Sequence, residues 1–203
     1  SDELDYESIN EYGQECFIPL IVGGGINNIQ QVQKLLRVGA DKVSVNSAAY
    51  NNPHLITEIA KRHGSQCVVA SIDTRLKKNG KGWECYSRAG TENTGKDVVE
   101  WTKEMEDRGA GEILLTSIEK DGTLEGYDLR LIEKIVNTVK IPVIASGGAG
   151  NYQDMIDAVY KCGANAVAAA SMFHFTEQTP LEAKAAMEKA GIPIRHPFRL
   201  DKR

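Results

Sequence analysis

Short apolar, β-branched runs alternate along the chain with stretches in which apolar residues recur at helical spacing. The apolar runs predict six strands, at residues 18–22, 42–45, 66–72, 112–116, 142–145 and 166–170. Between two of them, Val98, Trp101 and Met105 recur as they would on the buried face of a helix. This alternation of strand and helix indicates a parallel sheet covered by helices, an α/β fold.

The strand runs are almost continuously apolar, which is typical of parallel strands buried on both faces. An open doubly wound sheet and a closed (β/α)8 barrel both fit that pattern. The barrel is favoured because residues able to carry chemistry follow the end of every strand instead of clustering at one switch point. A complete barrel of this kind has eight strands, and the sequence supplies six.

A glycine-rich segment occurs twice, at residues 19–26 (PLIVGGGI) and 142–150 (PVIASGGAG). An offset of 123 residues relates Gly24 to Gly147, and one of 124 relates Gly39 to Gly163. Each segment is followed by a helical stretch and a second strand, so the chain contains two similar βαβ units. Glycine after a strand lets backbone N–H groups approach an anion closely. Each segment alone could be a tight turn, but the pair predicts two phosphate sites and a substrate with two phosphates.

The composition of the chain excludes several classes of function. With 203 residues, of which 41% are hydrophobic, the chain is expected to form a single domain over residues 1–203. A net charge of −4 without a basic run argues against nucleic-acid binding, and no apolar stretch is long enough for a membrane span. The four cysteines lack the spacing of a metal site, so we expect no metal and no cofactor. A cytoplasmic protein is the simplest interpretation.

Two carboxylates follow predicted strands and are candidates for acid–base chemistry. Asp73 ends the run 66–72, and Asp121 lies shortly after the run 112–116, whose last residue, Thr116, adds a hydroxyl. In a barrel, these side chains would line the rim on which active sites form. A helix cap for Asp73 and a plain turn for Asp121 are the structural alternatives.

Charged residues also occur at strand starts, and a basic loop follows Asp73. Lys42 and Glu112 would lie at the opposite end of the barrel, where they could form an ion pair or guard an opening. The turn 77–81 (KKNGK) predicts a hairpin on the catalytic side, which could act as a lid over an anionic ligand or be a solvated turn.

Several of these segments together resemble the cyclase (HisF) subunit of imidazole glycerol phosphate synthase. They are residues 22–26 (VGGGI), 41–49 (DKVSVNSAA), 64–69 (GSQCVV), 109–117 (GAGEILLTS), 121–123 (DGT) and 145–150 (ASGGAG). The resemblance implies a (β/α)8 barrel built from two similar halves and paired with a glutaminase subunit in a heterodimer. It also implies a reaction in which ammonia from that partner converts a bis-phosphorylated ribulosyl aminoimidazole intermediate to imidazole glycerol phosphate and aminoimidazole carboxamide ribotide.

The same resemblance implies roles for individual residues. Asp73 corresponds to a catalytic general acid, and Thr116, Asp121 and Ser146 correspond to residues that line the substrate site. The two phosphate sites would comprise Gly24, Gly25, Asn46 and Ser47, and Gly122, Gly147, Gly148, Ala170 and Ser171. Lys42, Glu112 and Glu3 correspond to a charged gate through which ammonia enters from the glutaminase side.

Two departures from the family define the alternatives. The family's first strand, which carries a further catalytic aspartate, has no counterpart in this sequence, and the second strand is also missing. We therefore expect a barrel that lacks its first two strands, so a catalytically inactive phosphate-binding fragment is one alternative. Residues 88–95 (RAGTENTG) and 175–184 (FTEQTPLEAK) are closer to paralogues that relay ammonia for sugar amidination in surface-polysaccharide biosynthesis, which is the other alternative.

Overall fold

The computed structural model describes residues 4–195, in which six parallel strands form one curved sheet with a hairpin attached. The strands are β1 (Ile21–Gly23), β2 (Lys42–Val45), β3 (Val68–Leu76), β4 (Trp83–Ser87), β5 (Glu92–Asp97), β6 (Glu112–Ser117), β7 (Val143–Ser146) and β8 (Ala166–Val167). The parallel strands follow the order β1-β2-β3-β6-β7-β8, while β4 pairs antiparallel with β3 and β5 pairs antiparallel with β4. The predicted α/β fold is confirmed as part of a barrel.

Helices connect the parallel strands and cover one face of the sheet. They are α1 (Tyr6–Glu15), α2 (Ile29–Arg37), α3 (Ser47–Asn51), α4 (His54–His63), α5 (Val98–Asp107), α6 (Leu129–Val136), α7 (Tyr152–Tyr160), α8 (Ser171–Phe175) and α9 (Pro180–Lys189). Their apolar stripes supply core residues such as Leu35, Ile59 and Trp101, which are almost completely buried. No helix within residues 4–195 combines the length and the apolar character that crossing a membrane requires.

The two faces of the sheet differ because successive side chains of a strand point to opposite sides. In β6, Ile113 and Leu115 are buried in the core, and Glu112 and Thr116 alternate with them in partly exposed positions. We call the partly exposed side the inner face. It comprises Lys42, Ser44, Ser71, Asp73, Glu112, Leu114, Thr116, Ile144 and Ser146.

The outer strands of this sheet are shorter than the sequence predicts. The run 18–22 becomes Ile21–Gly23, and the run 166–170 becomes Ala166–Val167. Each of these two strands pairs with one neighbour among the described residues, so fewer backbone hydrogen bonds hold its ends in extended form. The opposite change occurs in β3, which continues to Leu76 because β4 pairs with its last residues.

The internal repeat is confirmed at the level of single hydrogen bonds. Asn28 caps α2 and Asn151 caps α7, each through a side-chain oxygen that accepts from the backbone three residues on. Asp41 accepts from the Leu20 N–H at 2.8 Å, and Asn165 accepts from the Val143 N–H at 3.0 Å. The two βαβ units therefore share the same local geometry, and in each the glycine-rich turn lies at the carboxyl ends of the parallel strands.

Candidate active site

Strand register brings three of the predicted site residues into one row. Asp73 of β3 is opposite Thr116 of β6, and Thr116 is opposite Ser146 of β7. Residues opposite each other in a parallel sheet share a face, so the three side chains lie side by side on the inner face at the carboxyl ends of the strands. Barrel enzymes place their catalytic groups at these carboxyl ends of the strands.

The Asp73 carboxyl sits in an environment that favours its protonated form. It is partly buried and accepts a hydrogen bond from Asn46 Nδ2 at 2.9 Å. Burial raises the pKa of Asp73 above its ordinary value, and the negative charge of Asp121 raises it further, whereas the Asn46 hydrogen bond opposes the shift. The net effect is a pKa above the ordinary value of an aspartate, which is the direction that a general acid requires.

A cavity of about 650 Å³ opens beside Asp73 at the ends of β1 and β2. Its lining includes five of the predicted residues, Gly24, Gly25, Asn46, Ser47 and Asp73. Gly24 and Gly25 have φ values of +91° and +70°, a conformation that side-chain-bearing residues rarely adopt. Asn46 Oδ1 is buried and has no hydrogen-bond partner among the described residues, so this cavity holds an acceptor that a ligand can satisfy.

A second, smaller cavity of about 140 Å³ lies at the ends of β7 and β8. Its lining includes the remaining predicted phosphate residues together with two substrate residues: Asp121, Gly122, Ser146, Gly147, Gly148, Ala170 and Ser171. Close packing requires glycine at two of these positions, because a Cβ on Gly147 would lie 2.7 Å from the Ser117 carbonyl oxygen and one on Gly148 would lie 2.3 Å from the Gly126 carbonyl oxygen. The Gly126 N–H donates to the Gly148 carbonyl at 2.8 Å, which fixes this turn against the loop after β6.

Lys42 and Glu112 form an ion pair at the other end of the inner face. They come from β2 and β6, which flank β3, so their side chains meet across the intervening strand. Their side chains are 24% and 20% exposed, which leaves the pair in contact with solvent. The third predicted gate residue, Glu3, lies outside the described residues, and the role of the pair in ammonia entry stays a prediction.

The structure also adds three details to the sequence-based picture. Thr116 lines neither cavity and lies between them. The hairpin is present, but its basic turn is not part of either cavity, since Lys77 pairs with Asp97 at 2.7 Å within the hairpin. The first cavity is instead lined by Arg88 at the hairpin tip and by Ser71, both of which the sequence reasoning missed.

A sequence signal existed for only one of these missed residues. Ser71 precedes Asp73 by two positions in the same strand, so period-two alternation places it on the same face. The position of Arg88 depends on how the hairpin folds back, which no local pattern encodes. For metals, no cluster of three or more histidine, cysteine, aspartate or glutamate side chains in residues 4–195 is placed to hold an ion.

Comparison with known families agrees with this architecture. A sequence model of the family described as histidine biosynthesis protein matches residues 1–179, most of the chain. Members of that family are isomerases and cyclases of histidine biosynthesis. The two glycine-rich cavities, the Asp73 row and the matched sequence lead to one conclusion: this chain belongs to the histidine biosynthesis protein family.

Proposed function

We propose that this chain has the cyclase activity of imidazole glycerol phosphate synthase, in which ammonia from a glutaminase partner reacts with a bis-phosphorylated ribulosyl aminoimidazole intermediate. The observation that carries the proposal is the inner face itself. At the carboxyl ends of its strands lie two glycine-rich cavities, the first of which is lined by Asp73, and at the amino ends lies the Lys42–Glu112 pair. A protein that only binds phosphate needs neither a proton donor nor a charged pair at the far end.

The separation of the two cavities supports a substrate with widely spaced phosphates. The first cavity lies at the β1 and β2 ends and the second at the β7 and β8 ends, so four strand spacings separate their centres. At ~4.8 Å per strand this is roughly 19 Å along the curved sheet, and less across its concave face. Two phosphates joined directly to each other cannot reach both cavities, whereas phosphates at the two ends of an extended sugar derivative can.

Asp73 supplies the acid that condensation with ammonia requires. A ribulosyl group offers ammonia a carbonyl carbon, and the addition product loses water only after its oxygen has been protonated. Burial raises the pKa of the Asp73 carboxyl, which suits it to donate that proton as a general acid. The unpartnered Asn46 Oδ1, on the residue that orients Asp73, can accept from a substrate hydroxyl in the same cavity.

The Lys42–Glu112 pair is suited to control the entry of ammonia. It lies on the same inner face as Asp73 but at the opposite strand ends, where a glutaminase could deliver ammonia without crossing the substrate. The pair is only partly buried, so separating its two charges should cost about 1 kcal/mol, and the pair can open and close at that small cost.

The experiment measures turnover of the bis-phosphorylated intermediate by the purified protein with ammonium as the nitrogen donor. Asp73→Asn should reduce kcat by about 100-fold or more, since it removes the proton donor and keeps the shape of the side chain. Asp107→Asn, an equal change of charge at an exposed position of α5, serves as the matched control and should retain activity. Undiminished turnover by Asp73→Asn would refute the general-acid assignment.

A second candidate function, ammonia relay for sugar amidination, is favoured by one observation. Arg88 and Ala89 belong to the segment that resembles the polysaccharide paralogues, and both line the first cavity. The same assay separates the two functions. A correctly folded protein that does not turn over the histidine-pathway intermediate with either ammonium or glutamine plus the glutaminase would favour the paralogue.

A further inference from the structure

Arg88 is the one basic residue among the described residues that line the first cavity. The other ionisable group there is the Asp73 carboxyl, and most of the remaining lining is glycine, serine and asparagine. Backbone N–H groups and hydroxyls can accommodate a phosphate, but they do not neutralise its charge. Arg88 is therefore placed where an anion would need a countercharge.

The hairpin tip that carries Arg88 is fixed at this position from two sides. The Arg88 backbone N–H donates to Ser47 Oγ at 2.9 Å, which links the tip to the start of α3. Gly90 packs against the loop after β6, since a Cβ at this position would lie 3.0 Å from Ile118 Cδ1. Arg88 and Ala89 both hold left-handed backbone conformations, with φ values of 49° and 54°, which is unfavourable for residues other than glycine.

The hydrogen bond to Ser47 also prepares that hydroxyl for an anion. Because Ser47 Oγ accepts from Arg88, its own proton remains available, and it is donated to no other described group. The guanidinium is likewise available at little cost. Arg88 Nε lies 3.2 Å from Glu92 Oε2 in a pair whose side chains are 69% and 54% exposed, and such exposed pairs contribute little to stability.

We propose that Arg88 binds the phosphate in the first cavity, exchanging its ion pair with Glu92 for the anion, so that the hairpin tip clamps one end of the substrate. This inference rests on the proposed function only in so far as that function places a phosphate there. Arg88 then selects an anionic terminus at this end of the substrate, while the second cavity holds its phosphate through backbone groups and the Ser171 hydroxyl without a comparable arginine in its lining.

The test is a titration of the purified protein with inorganic phosphate, followed by amide chemical shifts in two-dimensional NMR. The amides of Gly25 and Ser47 report on the first cavity, and those of Gly148 and Ser171 report on the second. Arg88→Gly removes the guanidinium and suits the left-handed backbone. It should weaken phosphate binding at the first cavity by about tenfold and leave the second unchanged. Glu92→Gln, which removes the competing carboxylate, should tighten binding at the first cavity by about twofold.

Controls separate this proposal from the proposed function. Lys81→Ala removes one positive charge from the far turn of the hairpin and should leave both affinities unchanged. Arg88→Gln keeps a polar side chain without the positive charge and repeats the test if glycine alters the turn. Phosphate binding to Arg88→Gly with wild-type affinity would overturn the role of Arg88 alone. Absence of phosphate binding at both cavities of the wild-type protein would overturn the phosphate sites, and with them the proposed function and the role of Arg88.

Discussion

Asn46 and Ala170 occupy equivalent positions in the two halves of the sheet, and only Asn46 bonds to the candidate acid. Each residue precedes a five-residue helix, with φ of −119° and −123°, and each carbonyl accepts from the backbone three residues on at 2.9 Å. Asn46 Nδ2 also donates to Asp73 at 2.9 Å, which an alanine cannot do. The repeat therefore preserves the backbone geometry beside both glycine-rich cavities, while the hydrogen bond to the candidate acid is formed only beside the first cavity.

The protonation of Asp73 should respond in opposite directions to two substitutions. Asp121→Asn removes a nearby negative charge and should lower the pKa of Asp73, whereas Asn46→Ala removes a hydrogen bond to the carboxylate and should raise it. The measurement is a pH titration of the Asp73 carboxyl carbon by NMR. A pKa that moves the same way in both variants would contradict this account of the electrostatics.

The same electrostatics determine the pH dependence expected of turnover. A general acid acts in its protonated form, so activity should fall as the pH rises through the pKa of Asp73. Since Asp121→Asn lowers that pKa, the alkaline limb of the profile of kcat/KM against pH should move to lower pH in this variant. The steady-state profiles of the two proteins test this directly, and an alkaline limb that moves to higher pH would exclude Asp73 as the acid.

The Lys42–Glu112 pair should contribute modestly to stability. Lys42→Met leaves a partly buried carboxylate without its partner, and Glu112→Gln leaves a partly buried ammonium group without its partner. We expect a coupling energy of about 1 kcal/mol in a double-mutant cycle, measured by urea unfolding of the two single variants and the double variant. Strictly additive losses would show that the two charges do not interact in the folded protein.

One glycine from each cavity, Gly24 and Gly148, should tolerate substitution by alanine very differently. Both have positive φ values, +91° at Gly24 and +112° at Gly148, so each alanine is strained by the backbone conformation. Space around Gly24 is open within 4 Å, so Gly24→Ala should cost about 1 kcal/mol. Gly148→Ala also overlaps the Gly126 carbonyl and should cost about 3 kcal/mol. Thermal unfolding of both variants measures the difference, and equal losses would contradict the packing described for Gly148.

Local patterns in the sequence predict the parts of this site that depend on local structure. Apolar runs locate the six parallel strands, and the repeated glycines locate both cavities, because glycine is favoured where the backbone is left-handed and needed where another backbone packs closely against it. The row of Asp73, Thr116 and Ser146 needs the register between strands, which the resemblance supplies and periodicity does not. Arg88 was missed because its position depends on contacts between the hairpin, Ser47 and Ile118 that are distant in sequence.

The repeat also predicts the energetics of two equivalent caps. Asn28 accepts from the Gln31 N–H at 2.9 Å and Asn151 accepts from the Asp154 N–H at 3.2 Å, so each satisfies a donor that the helix leaves unpaired. Asn28→Ala and Asn151→Ala should each lower the free energy of unfolding by about 1 kcal/mol.

The two caps lie in different βαβ units and share no partner among the described hydrogen bonds, so their effects should add in the double variant to about 2 kcal/mol. Asn137→Ala, at an exposed position after α6, is the control and should change stability by less than about 0.5 kcal/mol. Urea unfolding of the four variants provides the comparison. A loss in only one of the cap variants would mean that the two units share backbone geometry without sharing the interactions that stabilise it.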